Sequence, residues 1–311
     1  MCPRVVFVLG KGGVGRSTIA AALGLGFAGR GERVLVVQWA LADAISRWFD
    51  GAPAGFAERE IAPNLATMNF STDASLREYF VDHLHLRAFY RAVISNRHIR
   101  SATRAAPGID ELMFLGRITW LATRARDERG WSYDRVIVDA PAMGHGASLF
   151  AIPHATRALG LGGLLATECA RVDALLADPA RSAAIVVATP EELAVEETLE
   201  FWPRIARDLG RPPIAVIVNR SARSLGALPI DARACPWFAR AAETSAPATR
   251  EALEGVYARL ARRGAREASL RERLEAPAIA VDDALLVEEA PSPHTIAMRA
   301  AEAIAPLWSA R

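Results

Sequence analysis

The sequence predicts an α/β fold, a doubly wound and mostly parallel sheet that carries a helical insertion. Short apolar runs recur from one end of the chain to the other. They are apolar throughout rather than alternating, as strands covered on both faces are. Helix-like stretches separate them, which is the order that parallel strands with crossover helices require. The first run also ends in a glycine-rich loop that leads straight into a helix.

Arg4–Leu9 is β-branched and apolar and suits a first strand, followed by a helix rich in Ala and Leu from Ser17 to about Gly29. Gly31-Glu32 reads as a turn before a second strand, Val34–Gln38, and a short helix is expected around Ala44–Phe49. Further buried strands are expected at Ala66–Phe70, Arg135–Asp139, Ser182–Ala188, Ile214–Asn219 and Ala278–Val281. A helical insertion fills about 75–130, broken at Pro107-Gly108, and helices are expected at Pro190–Leu209 and Pro236–Arg263. No repeat or low-complexity linker interrupts this pattern, so residues 1–311 read as a single domain.

Half the residues, 51%, are apolar, enough for a large core. A net charge of +2 gives composition no reason to call for a nucleic-acid partner. Cys2, Cys169 and Cys235 are scattered, with no CxxC pair, which points to a reducing, cytoplasmic setting and away from a zinc site. The most apolar long stretch, from Gly146 to Ala170, is broken by Pro153, His154 and Arg157, so no transmembrane segment is expected. Any membrane contact would be peripheral. The insertion carries Arg87, Arg91, Arg97, Arg100 and Arg104, which reads either as a solvated helix face or as a patch for an anionic partner. Of 37 basic residues, 36 are arginine and the one lysine is Lys11. A bias of that kind replaces any lysine whose role arginine can fill, so Lys11 is expected to need a compact ammonium.

The run Gly10 to Thr18, GKGGVGRST, fits the phosphate-loop pattern G-x-x-x-x-G-[K/R]-[ST], with Arg16 at the usual lysine position. Gly10, Gly12, Gly13 and Gly15 let the backbone curl so that N–H groups, Val14 included, point at phosphate oxygens. The following helix adds its positive end. Ser17 stands where a hydroxyl binds Mg²⁺, and Thr18 is a further phosphate contact. The expected ligand is therefore ATP or ADP with Mg²⁺.

Lys11, placed directly after the first glycine, makes the loop the deviant kind. The segment Val136 to Gly146, VIVDAPAMGHG, resembles the second switch of the arsenite-pump/guided-entry ATPases, and so do Pro107–Glu111 (PGIDE) and Thr189–Thr198 (TPEELAVEET) their respective stretches. That resemblance implies a dimeric ATPase in which Lys11 reaches the partner's nucleotide. It further implies that Asp139 holds the Mg²⁺ shell through water, that Gly144 and His145 report the γ-phosphate, and that Asn219 reads the adenine edge. Gly-His in the switch and the long insertion separate the chain from the partitioning ATPases that share the loop. The departures are Arg16 and the first switch, where the family's catalytic Asp falls on Ala40, beside Trp39. Asp43 either replaces that carboxylate or caps the helix that follows it. His145 is either a phosphate contact or a structural imidazole. The implied function is an ATP-binding dimeric switch handling a protein client, with impaired hydrolysis. The alternatives are a non-catalytic subunit that supplies Lys11 to an active paralogue and a ParA/MinD-like partitioning ATPase, and homodimer and heterodimer both stay open.

Overall fold

The computed structural model describes residues 3–49, 51–78, 81, 108–123, 133–141, 149–153, 164–222, 228–229, 231–274, 277–282 and 292–309. Most of the expected helical insertion, its five arginines included, lies outside the described residues, as do Gly144 and His145. One sheet runs in the order β3-β4-β2-β5-β1-β6-β7-β8. Its strands are β1 (Val5–Gly10), β2 (Val34–Gln38), β3 (Arg59–Ala62), β4 (Leu65–Asn69), β5 (Arg135–Asp139), β6 (Ser182–Ala188), β7 (Ala215–Ser221) and β8 (Ala278–Asp282). All neighbours pair in parallel except β3 with β4.

The apolar-run criterion misses β3 for a physical reason. Arg59 and Glu60 are exposed at the sheet's edge, so the strand carries no buried run. A short, charged edge strand also discourages pairing with other chains. Asn64, in the turn to β4, sits at φ 62°, a conformation that asparagine tolerates better than most residues.

The helices are α1 (Arg16–Ala28), α2 (Thr72–Arg77), α3 (Ile109–Thr123), α4 (Leu164–Ala177), α5 (Glu192–Leu209), α6 (Pro236–Thr244), α7 (Pro247–Arg273), α8 (Pro293–Ile304) and α9 (Pro306–Ser309). The stretch expected as one helix from Pro236 is two. Ser245 and Ala246 are extended, and Pro247, lacking an N–H, opens a new helix. Among the described residues no helix is long and apolar enough to cross a membrane.

Successive residues of each strand enter opposite layers. Val5, Phe7 and Leu9 face α3, α4 and α7 through Phe114, Val172 and Leu270. Val6 and Val8 face α1 and α8 through Ile19, Leu23, Ala297 and Ala300. Each fully buried Val, Leu or Phe side chain contributes about 1.5–3 kcal/mol relative to exposure. Two apolar faces and helices on both of them make the fold doubly wound.

Buried polar groups collect at one edge of this sheet. Gln38 ends β2, Asp139 ends β5, Asn219 lies near the end of β7 and Thr189 follows β6, all of them buried. β1 lies between β5 and β6, so its carboxyl end opens onto the middle of that edge. Doubly wound sheets bind their ligands at the carboxyl ends of their strands.

Candidate functional site

The loop after β1 is shaped by two glycines that no other residue could replace. Gly10 has φ 152°, and a Cβ there would come within 2.5 Å of the Val187 carbonyl on β6. Gly15 has φ 91°, and a Cβ would strike the side-chain amide of Asn219. Gly15 is also the residue from which α1 starts, and α1 has neither a side-chain cap nor an acidic residue in its first turn. Its first-turn N–H groups and its positive end are therefore open to an anion.

Side chains from β5, β7 and α5 converge on the loop and on the start of α1. Ser17 Oγ donates to Asp139 Oδ2 at 2.6 Å, while Asp139 Oδ1 is buried with no hydrogen-bond partner among the described residues. Burial pushes the Asp139 carboxyl above its ordinary range, against the opposing effects of the Ser17 bond and the Arg16 charge. A hydroxyl and a carboxylate with a spare buried oxygen, at the start of a helix, form a hard-oxygen set that suits Mg²⁺ carried with a phosphate. Arg16 donates to the Ala140 carbonyl, and burial lowers its pKa from the usual guanidinium value. The Asn219 side-chain amide donates to the Val14 carbonyl at 2.8 Å, so Asn219 braces the loop itself. Lys11 Nζ lies 3.0 Å from Glu197 Oε1 of α5. Gly12, Gly13 and Thr18 lie in the same loop and first helical turn.

The first switch, by contrast, is pinned at several points. Trp39 packs edge-on against Phe70 at 5.4 Å and tilted against Phe114 at 5.1 Å. Asn69 holds both backbone groups of Ala40: its Oδ1 accepts the Ala40 N–H at 3.2 Å and its Nδ2 donates to the Ala40 carbonyl at 3.0 Å. Asp43 Oδ1 accepts from the N–H groups of Ile45 (2.8 Å) and Ser46 (3.1 Å) and from the Gln38 amide, and Asp43 Oδ2 accepts the Ala54 N–H at 2.5 Å. Burial pushes the Asp43 carboxyl up, but the bonds from Ser46, Ala54 and Gln38 outweigh it and hold the group below the usual carboxylate range. The expected short helix here is a 3₁₀ turn, Ser46–Phe49, and Asp43 caps the chain entering it. Trp39, Ala40, Leu41, Phe56, Asn69 and Phe70 line an open pocket of about 500 Å³ beside the switch.

A loop of backbone donors, a helix start, a hydroxyl–carboxylate pair and two basic side chains describe a phosphate site, and sequence comparison says of which kind. The model of the ArsA-type anion-transporting ATPases matches residues 3–160. The chain belongs to this family. It is 33% identical over 229 residues to ATPase BagA of Mycobacterium tuberculosis, a match covering 70% of this chain and 65% of that one. An ATPase of Mycobacterium bovis matches to the same extent. A protein of Aquifex aeolicus named as an arsenical pump-driving ATPase is 26% identical over 150 residues, or 46% of each chain. The match thus spans about two thirds of the length of the mycobacterial relatives.

For this anion-transporting ATPase family member, three side chains at the site escape a reading of the sequence alone. Asn69 ends β4 and looks there like the tail of an apolar strand. Gln38 looks like a strand terminus. Glu197 is one of several carboxylates on α5, and only the fold shows which of them faces the loop. The signal for the first two was a polar residue at the carboxyl end of a buried strand, the same signal that singles out Asp139 and Asn219.

Proposed function

We propose that the chain is an ATP-binding switch, one half of a two-chain ATPase, with weak hydrolysis on its own. The observation that carries the reading is the Ser17–Asp139 contact at the start of α1. Ser17 would sit on Mg²⁺, and Asp139 would hold the ion's water shell through its spare oxygen. The ion would supply charge neutralisation for the β- and γ-phosphates. Arg16 would leave Ala140 to meet phosphate, the loop N–H groups would hold it, and Asn219 would set the loop against the base end. Residues 1–311 act as one unit in this reading, in the cytoplasm, with a protein client handled by the dimer.

The first switch argues for weak hydrolysis. Residue 40 has no side-chain oxygen to orient an attacking water, and the nearest carboxylate, Asp43, is occupied by four donors. Loss of one positioning element costs on the order of 10²- to 10³-fold in phosphoryl transfer. The same bonds favour a second reading, a non-catalytic subunit that binds nucleotide and completes the site of an active paralogue.

Calorimetry with Mg²⁺–ATP and steady-state turnover test the proposal together. Binding that requires Mg²⁺ is expected, with turnover far below about 1 per second and a gain of about 10-fold or more in Ala40→Asp. No detectable binding, or wild-type turnover of a competent ATPase, would overturn it.

A further inference from the structure

We propose that Glu197 is a positioning residue that holds Lys11 in cis and competes with nucleotide phosphate for the same ammonium. This rests on the reading that Lys11 serves a nucleotide across the dimer. The two groups meet at 3.0 Å, each about one third exposed, at 35% and 29%. α5 spends its neighbouring carboxylates elsewhere: Glu192 on Arg266 at 2.5 Å and Glu196 on Arg273 at 2.9 Å of α7, and Glu200 on Arg204 at 2.6 Å within the helix. The first two of those pairs tie α5 to α7, and Glu197 is the carboxylate of the helix that faces the loop.

Geometry makes the competition exclusive. Lys11 follows Gly10, whose φ of 152° and close approach to Val187 leave little freedom before it. One ammonium on a four-carbon stem can lie on Glu197 of its own chain or on a phosphate facing it, and the two targets are separate. A compact ammonium can exchange between such partners within a narrow space, whereas a planar guanidinium would bind the carboxylate through two nitrogens and release it less readily. That difference accounts for the one lysine in a chain with 36 arginines. A pair exposed by about one third is weak enough to be given up, with a hold of about two- to five-fold in the equilibrium.

Because Lys11 is the only lysine, its reaction with an amine-acylating reagent, followed by mass spectrometry of the Lys11 peptide, reports this single side chain. Without nucleotide, Glu197→Gln should acylate about two- to five-fold faster than wild type, with Glu197→Asp in between. With saturating Mg²⁺–ATP the two rates should fall and converge, the phosphate now holding the ammonium in both. Equal rates without nucleotide would overturn the pair, and a faster Glu197→Gln that persists with ATP would overturn the exchange. Sedimentation separates this from the dimer reading. Glu197→Gln should dimerise at about two- to five-fold lower nucleotide concentration. If the acylation pattern appears and no dimer forms, the exchange stands and the trans role of Lys11 falls.

Discussion

Asp139 and Asp43 are both buried, one at the end of β5 and the other in the loop after the neighbouring β2, and they carry opposite loads. β2 and β5 pair in parallel with Gln38 opposite Asp139, and Asp43 lies five residues beyond Gln38. Asp43 collects four donors and is held below the ordinary carboxylate range, so the fold stabilises its charge. Among the described residues Asp139 collects one donor and keeps an unpartnered buried oxygen, and it is pushed above that range, so the fold strains against its charge. A complete hydrogen-bond set belongs to structure. An incomplete one, at the edge where ligands bind, belongs to chemistry supplied later. In this family member the phosphate end is left unfinished while the first switch is closed up, and that contrast is the physical basis of the weak hydrolysis proposed above.

The largest effect expected from this contrast comes from Asp139→Asn. Nucleotide affinity in the presence of Mg²⁺ should fall by about 10- to 100-fold, the usual cost of an outer-shell partner. The free chain should nevertheless melt higher, by about 2 °C, because a buried charge with an incomplete hydrogen-bond set becomes a neutral dipole. The pH dependence fixes the sign. A carboxyl raised in the folded state costs nothing below its unfolded pKa of about 3.9, and its cost grows as pH rises towards the folded value. The stability advantage of Asp139→Asn should therefore be small near pH 4 and should grow as pH rises towards the folded value. Thermal unfolding across that range is the measurement, and a mutant less stable than wild type at neutral pH would refute the strain.

Asp43→Asn should do the reverse. One carboxylate oxygen becomes an NH₂ that faces a donor, either Ala54 N–H or the set on the other oxygen, and about 2 kcal/mol of stability is lost. The melting temperature should fall by about 4 °C with nucleotide affinity unchanged. Here the carboxyl is lowered in the folded state, so its contribution is complete above about pH 4 and disappears as pH falls through the folded value. The gap between mutant and wild type should close in acid. A collapse of turnover in Asp43→Asn at unchanged stability would instead make Asp43 the missing catalytic carboxylate.

The parts of this molecule legible from sequence were those with a local signature. Buried strands announced themselves as apolar runs, and the phosphate loop as glycines at fixed spacing between a strand and a helix. What escaped depends on neighbours distant in sequence. β3 is charged because it lies at the edge. Ala40 reads as a missing side chain, yet its backbone is gripped from 29 residues away by Asn69. Trp39 reads as an intruder in a polar loop, and the fold makes it one of three mutually packed aromatic rings with Phe70 and Phe114. Asn219 carries an expectation about adenine, while its observed bond is to the loop carbonyl of Val14, a contact across 205 residues that no local pattern encodes.

The smallest effect divides the closed switch into its two fasteners. Asn69→Ala removes the 3.2 Å and 3.0 Å bonds to Ala40 and leaves the four on Asp43 in place. Asn69 is partly exposed, so water can take over part of its work, and a loss of about 1 kcal/mol and about 2 °C is expected. The local consequence is sharper than the global one. Amide exchange at Ala40 should quicken by about five-fold, the equivalent of that 1 kcal/mol, while Ile45 and Ser46, bonded to Asp43, keep their protection. If all three amides quicken together, the switch is one cooperative unit and the two fasteners are not separable. If Ala40 does not quicken at all, the packing of Trp39 between Phe70 and Phe114 holds the loop by itself, and Asn69 merely satisfies backbone groups that were already fixed. Restoring a carboxylate by Ala40→Asp in the Asn69→Ala background then measures what the clamp does to function. A clamp that keeps residue 40 away from the phosphate makes the gain in turnover larger in the double variant than in Ala40→Asp alone, and equal gains would show that residue 40 already stands where its side chain can act.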